Sequence, residues 1–326
     1  MIRILSHTMI LPFYFAFIPG VWGLIFILII SNPVIAKEYR VAMITWRGET
    51  LAEQGFIDEM NKSPHDIVWA KYNAAQDDFK LQEIITQIQA HPVDVLYVFG
   101  TTATKAVLLR IKDVPVVFNI VSRPVDSGII ASWECSKNNA TGASNKVSTV
   151  NQLKALKKVI GYKRLGIIYN PKEQNSILQR NNVKRLENLL HFSLTEYKIS
   201  GEKDIFQVLS GMKDRVEAVF LPADSMIKSL GKKIMTTVNG YNLPSLSSVG
   251  SMVPEDGVLM GFVPKYYELG QIAAGKAILI LNGKKPSDIP SSVLDYAHIS
   301  VNMRTAKKIN IQIPLSVLVM ANQIIR

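Results

Sequence analysis

The sequence predicts an α/β protein made of two similar, doubly wound, Rossmann-like lobes. Three observations carry this. First, a unit of strand, polar loop and helix occurs twice. Tyr39–Thr45 breaks at Trp46-Arg47-Gly48 and continues as a helix to about residue 61, and Arg164–Tyr169 breaks at Asn170-Pro171 and continues as a helix to about residue 190. Second, strands such as Val95-Leu-Tyr-Val-Phe99 are continuous apolar runs, which marks parallel strands covered on both faces. Third, strands and helices alternate, which implies right-handed crossovers and a parallel sheet in each half.

In the first half, strands are predicted at about 39–45, 66–72, 94–99 and 115–121, with helices at about 49–62, 76–90 and 102–112. The helix at 76–90 rests on Phe79, Leu81, Ile84, Ile85 and Ile88 at roughly helical spacing, with Asp77-Asp78 at its start, where acids suit the helix dipole. From Ser122 to Lys146 the periodicity lapses, and the first crossing between lobes is placed there. A helix then starts near Thr149, with Gln152 as its capping-box partner. Val150, Leu153, Leu156 and Ile160 form its apolar face, and Gly161 ends it.

The second half repeats the pattern, with strands at 164–169, 192–198, 216–221 and about 244–248, and helices at 174–190, 203–213 and 225–239. A strand at 258–262 leads to a helix at about 266–282, and Gly283–Pro290 is a turn-rich link to a short C-terminal unit. The expected organisation is a first lobe of residues 37–143 plus 263–289 and a second of 144–262 plus 290–326.

Residues 1–36 carry one formal charge, Arg3, and the run from Met9 to Ile30 is almost purely apolar. Val34-Ile35-Ala36 suits a small-residue cleavage site before Lys37. The run approaches the ~20 residues that span a bilayer, although Pro12, Pro19 and Gly20 interrupt it. Both a cleaved signal peptide and an uncleaved anchor through residues 9–30 fit, and either places the rest of the chain outside the cytoplasm. No cysteine lies near Ala36 to carry a lipid.

Cys135 is the only cysteine, which excludes an internal disulfide and a thiolate metal cluster. Without Arg3 the formal charge falls from +11 to +10 (11 − 1). The lysines are scattered along helices, as in Lys154, Lys157 and Lys158, and no basic-aromatic stripe suggests nucleic acid. Glycine-rich phosphate loops and a nucleophile elbow are missing. The histidines lack metal-ligand spacing. No cofactor, metal or catalytic role is expected.

In open α/β sheets, ligands bind beyond the carboxyl ends of the strands. Those positions carry Trp46-Arg47, Gly100-Thr101-Thr102, Ser122-Arg123 and Ala223-Asp224, of which Trp46, Thr101, Thr102, Ser122, Arg123 and Asp224 are the candidate ligand contacts. Thr101 and Thr102 stand at a helix start, where they either cap it or help its free N–H groups hold a carboxylate. Trp46 either stacks on a ligand or packs within its loop. Asp224 either neutralises an ammonium or caps the helix after Pro222. Arg123 either pairs with an anion or bridges the lobes.

Several segments resemble one family. They are Gly55-Phe56, Phe99-Gly-Thr-Thr-Ala103, Thr141-Gly-Ala-Ser144, Lys163-Arg-Leu-Gly-Ile-Ile-Tyr-Asn-Pro171, Leu221-Pro-Ala-Asp224, Tyr267-Glu-Leu-Gly270, Ile280-Leu-Asn-Gly283 and Asn302-Met-Arg-Thr-Ala306. In order and spacing they are similar to the extracytoplasmic solute-binding proteins of ABC transporters, in the tryptophan/tyrosine-binding class. The resemblance implies a type I periplasmic-binding fold that closes on a small ligand. Carried over, Thr101 and Thr102 would bind a carboxylate, and Asp224 would lie in the cleft. Ser122-Arg123 stands where the family often has Thr-Asp, and Asn145 where it often has Asp. Both departures are expected to make the cleft wall less negative and to favour an anionic or differently charged ligand.

An exported two-lobed cleft without catalytic groups is expected to capture a small solute for a permease in the inner membrane. A membrane-anchored sensor signalling to a partner protein is the alternative.

Overall fold

The structure, a computed structural model, describes residues 37–294 and 298–326. Residues 1–36, expected to direct export or to anchor the chain, lie outside the described residues.

The first lobe begins with β1 (Glu38–Thr45), α1 (Leu51–Met60), β2 (Asp66–Asn73), α2 (Asp78–Ala90), β3 (Val95–Phe99), α3 (Thr101–Arg110), β4 (Val116–Asn119) and β5 (Ala140–Ser144). Thr50 caps α1 reciprocally with Glu53: its hydroxyl oxygen accepts from the Ala52 amide at 3.1 Å, and Glu53 Oε2 accepts from the Thr50 amide at 2.6 Å. Asp77 caps α2 through the amides of Phe79 and Lys80. Every side chain of β3 is buried, as its unbroken apolar run requires.

The second lobe holds α4 (Thr149–Ile160), β6 (Arg164–Tyr169), α5 (Gln174–Arg185), α6 (Glu187–Leu190), β7 (Ser193–Lys198), α7 (Asp204–Leu209), β8 (Ala218–Leu221), α8 (Ser225–Ser229), α9 (Gly231–Gly240), β9 (Ser245–Ser247), α10 (Met252–Asp256) and β10 (Met260–Val263). The chain continues through α11 (Tyr266–Leu281), a 3-10 turn (Pro286–Asp288) and β11 (Ser292–Val293), then β12 (His298–Asn302), α12 (Met303–Lys308), α13 (Leu315–Met320) and β13 (Gln323–Ile325).

The first sheet runs β11-β5-β4-β3-β1-β2, with every pair parallel. The second runs β13-β12-β10-β9-β8-β6-β7 and is parallel except where β10 meets β12. One hydrophobic core fills the first lobe. The second sheet separates two more, with Leu165, Ile167 and Tyr169 of β6 on one face and Ile168 on the other.

Helix α11 packs on α1, backbone against backbone. A Cβ on Gly270 would lie 2.1 Å from the Ala52 carbonyl oxygen, and one on Gly55 equally close to that of Tyr267. That contact holds residues 266–281 to the first lobe, after the chain has run through the second.

Four expectations need correction. The stretch 122–146 is not simply a crossing, because it contains β5, an interior strand of the first sheet. The crossings expected near 143, 262 and 289 shift: the first sheet keeps Ser144, the second keeps Val263, and β11 pairs Ser292 and Val293 with Ala143 and Ser144. The cap of α4 is Ser148, one residue earlier than expected, and Gln152 instead accepts from Ser248 Oγ at 3.1 Å. The single helices expected over 174–190 and 225–239 each form as two, dividing at Leu186 and Leu230.

Candidate functional site

The carboxyl ends of the parallel strands of both sheets face one cleft. The chain just past β1 supplies Trp46 and Arg47, and that past β3 supplies Gly100, Thr101 and Thr102. Ile120 and Ser122 follow β4, and Asn145 follows β5. From the second lobe come Glu173, after β6, and Asp224, after β8. These line a narrow space between the lobes. Contacts between the lobes flank it: Gln76 Nε2 donates to Ser229 Oγ at 2.7 Å, and Lys105 donates to Gln174.

The first-lobe wall offers hydrogen-bond donors and apolar surface. Gly100 begins α3 with φ +89°, and no side chain caps that terminus. The first-turn amides, with the Thr101 and Thr102 hydroxyls beside them, suit an anion. The Arg47 guanidinium lies 5.3 Å from the centre of the Phe99 ring. Trp46 is buried, and among the described residues its indole N–H makes no close hydrogen bond, although it lies near enough to Glu173 to favour that carboxylate.

Ile120 sits in the left-handed region at φ +54°, a strained position for a β-branched residue. Its amide is held by Asn119 Oδ1 at 2.9 Å, Asn119 Nδ2 donates to the Tyr97 hydroxyl at 3.2 Å, and that hydroxyl donates to Glu53 Oε1 at 2.5 Å. The strained corner of the cleft is thus tied to the cap of α1.

The opposite wall is acidic. Asp224 is 1% exposed. Its Oδ1 caps α8 by accepting from the Ile227 amide at 2.8 Å, while among the described residues Oδ2 makes no close hydrogen bond, the Ser176 hydroxyl nearby favouring its ionised form. Burial, reinforced by the neighbouring Glu173 charge, raises its pKa from an ordinary 3.8 to about 8. Burial also raises Glu173, against the Ser225 amide, Trp46, Asn175 and the Arg47 charge, which favour its ionised form. Two carboxyl groups therefore share a pocket in which both cannot easily be charged.

Buried polar atoms almost always find partners, so unpaired ones call for an explanation. Among the described residues, Trp46 Nε1, Ser122 Oγ, Asn145 Oδ1 and Asp224 Oδ2 are unpaired, and all four residues line this one cleft.

Of the residues predicted from sequence, Trp46, Thr101, Thr102, Ser122 and Asp224 meet in the cleft. Arg123 does not. It borders the adjoining spaces, and its Nη2 pairs with Asp126 of the same segment at 2.7 Å rather than bridging the lobes. The expected loss of negative charge is offset by Glu173, which sequence reasoning missed. Glu173 lies four residues beyond β6, immediately before α5, and reads locally as a helix-leading acid. Arg47, Phe99 and Tyr266 complete the walls.

Residues 42–325 match the ABC transporter substrate binding protein family, and the chain belongs to it. A tyrosine-binding protein of Clostridioides difficile (strain R20291) is 27% identical over 266 residues, covering 80% of this chain and 77% of its own length. Among solved structures, an ABC domain from Streptococcus pneumonia in complex with L-Trp superposes with a TM-score of 0.84 at 22% identity, over 89% of this chain and 100% of that one. An ABC transporter solute binding protein from Bacillus halodurans C-125 with bound myo-inositol gives 0.61 at 12% identity, over 84% and 98%. These likenesses show two α/β lobes of the type I periplasmic-binding fold. No helix among the described residues is long and apolar enough to cross a membrane.

Proposed function

We propose that this protein captures a free α-amino acid between its lobes and presents it to the permease of an ABC import system. The observation that carries this reading is the polarity of the cleft, with uncapped helix amides and Arg47 on one wall and the unpaired Asp224 Oδ2 with Glu173 on the other. A zwitterion matches both walls, its carboxylate at the start of α3 and its ammonium between the two acids. Lobe closure excludes water and strengthens each of these contacts. Trp46, Phe99 and Tyr266 suit an apolar or aromatic body. The relatives named for tyrosine and crystallised with L-Trp make aromatic amino acids the first ligands to test.

On this reading the role is binding without a covalent step, as for the solute-binding family to which the chain belongs. Residues 1–36 act as the export signal or as an anchor outside the cytoplasm, and N-terminal sequencing of protein from membrane and soluble extracts distinguishes the two.

The test of the ligand class is calorimetry on the chain from Lys37, with L-tyrosine, L-tryptophan, L-phenylalanine, citrate and myo-inositol. The expected result is saturable binding of at least one amino acid and none of citrate. Binding of citrate or inositol alone would overturn the reading.

A further inference from the structure

Beside the cleft lies space that an amino-acid head does not fill. A narrow passage shares Ser122, Asn145 and Ala223 with the cleft and is lined further by Arg123, Lys146 and Gln179. Arg123 and Lys146 also border a wider annex of about 250 Å³, together with Trp133 and Asp126. The three spaces are therefore linked by common walls.

The chemistry of those walls changes in order. The cleft end is acidic, at Glu173 and Asp224. The middle is neutral, and there Asn145 Oδ1 and Ser122 Oγ are buried without partners. The far end is cationic. Arg123 commits one guanidinium nitrogen to Asp126, and its buried Nε–H has no partner. Lys146 Nζ stands 5.8 Å from the centre of the Trp133 ring and has no ion-pair partner among the described residues.

We propose that the passage and annex form an anion subsite continuous with the cleft, which fits the protein to an amino acid whose side chain runs through an amide linker to a second acidic group. The proposal rests on the amino-acid reading of the cleft. Acid, neutral acceptor and cation on the protein are the complement of ammonium, amide N–H and carboxylate on a ligand. Asn145 Oδ1 can accept the linker N–H, and the Ser122 hydroxyl can serve its carbonyl. The Trp133 face can cover the linker methylenes, and Arg123 with Lys146 meets the terminal anion. Asp126 opposes that anion, but its carboxylate is about half exposed and already paired, so the annex keeps a net positive charge.

The probes are γ-L-glutamylglycine, which carries these groups in order, and γ-L-glutamylglycinamide, which lacks only the terminal charge. L-glutamine and L-tyrosine carry the head alone. Calorimetry on the chain from Lys37 is expected to show the acid binding about tenfold more tightly than its amide, the scale of one hydrogen bond to a charged group. Arg123→Gln and Lys146→Gln, each made separately, are expected to erase most of that preference and leave the head-only ligands unchanged. Thermal unfolding at the parent temperature confirms that each variant folds. Equal binding of acid and amide, or a preference that survives both variants, overturns the subsite. If the head-only amino acids bind and that preference is missing, the subsite alone falls. If no amino acid binds, the cleft reading falls with it.

Discussion

Each lobe buries a carboxyl group at the head of a helix, and the two are treated oppositely. Glu53, fully buried in the first lobe, is satisfied: Tyr97 donates to one oxygen, and the Thr50 amide and hydroxyl donate to the other at 2.6 and 2.8 Å. Asp224, equally buried in the second, spends one oxygen on the α8 cap and leaves the other empty beside a second acid. A buried acid with its full complement of donors stabilises one geometry, here the strained corner at Ile120. A buried acid lacking a donor is costly to the empty protein and is relieved by a ligand that brings a cation. The difference separates scaffold from site without reference to any relative.

The sharpest way to break this contrast is to remove each acid in turn. Glu53→Ala strips the α1 cap and orphans the Tyr97 hydroxyl, and is expected to cost about 2–4 kcal/mol of stability, read from urea unfolding. Asp224→Asn keeps an oxygen for the α8 cap and removes only the ability to ionise when a ligand ammonium arrives. It is expected to leave stability equal or higher, yet to weaken amino-acid binding by about 1.5–3 kcal/mol, roughly ten- to a hundredfold. If Asp224→Asn unfolds the protein and Glu53→Ala does not, the assignments are reversed. Tyr97→Phe sharpens the scaffold side. It removes one donor from Glu53 and is expected to cost about 1 kcal/mol, with a small loss of affinity passed on through Asn119 and Ile120.

The same contrast sets a dependence on pH. Asp224 in the folded protein holds its proton to about 8, whereas in the unfolded chain it loses it near 3.8, and Glu173 is shifted in the same direction. Between those values the native state binds more protons, so ligand-free stability falls as pH rises from about 4 to about 8. Thermal unfolding across that range is expected to show the decline for the parent and a flatter profile for Asp224→Asn. An identical slope in both would assign the dependence to other groups.

Much of the frame was legible in the sequence because its signals are local and repeated. The apolar runs of β1, β3 and β6 and the turn at Gly161 behave as their composition dictates. β5 was not legible. Ala-Thr-Gly-Ala-Ser has no large apolar or aromatic side chain, and Gly142 is there because a Cβ would meet the Phe118 carbonyl oxygen at 2.1 Å. That constraint comes from the neighbouring strand and leaves no periodic trace. The cleft was half legible for a related reason. Position after a strand end picked out Trp46, Thr101, Thr102, Ser122 and Asp224, but Glu173 reads locally as an ordinary helix-leading acid. Its pairing with Asp224 depends on the juxtaposition of β6 and β8, and Glu53 equally reads as a solvent-facing helix residue until Tyr97 is placed above it.

The central claim is that the Glu173–Asp224 pair gives up a proton to receive a ligand ammonium. The most direct measurement is titration calorimetry of L-tyrosine or L-tryptophan, whichever binds, at neutral pH in two buffers of different ionisation enthalpy. The expected result is net release of up to about one proton on binding, with both the release and most of the affinity lost in Asp224→Asn. Binding with the same heat in both buffers, and with undiminished affinity in the variant, would contradict the account.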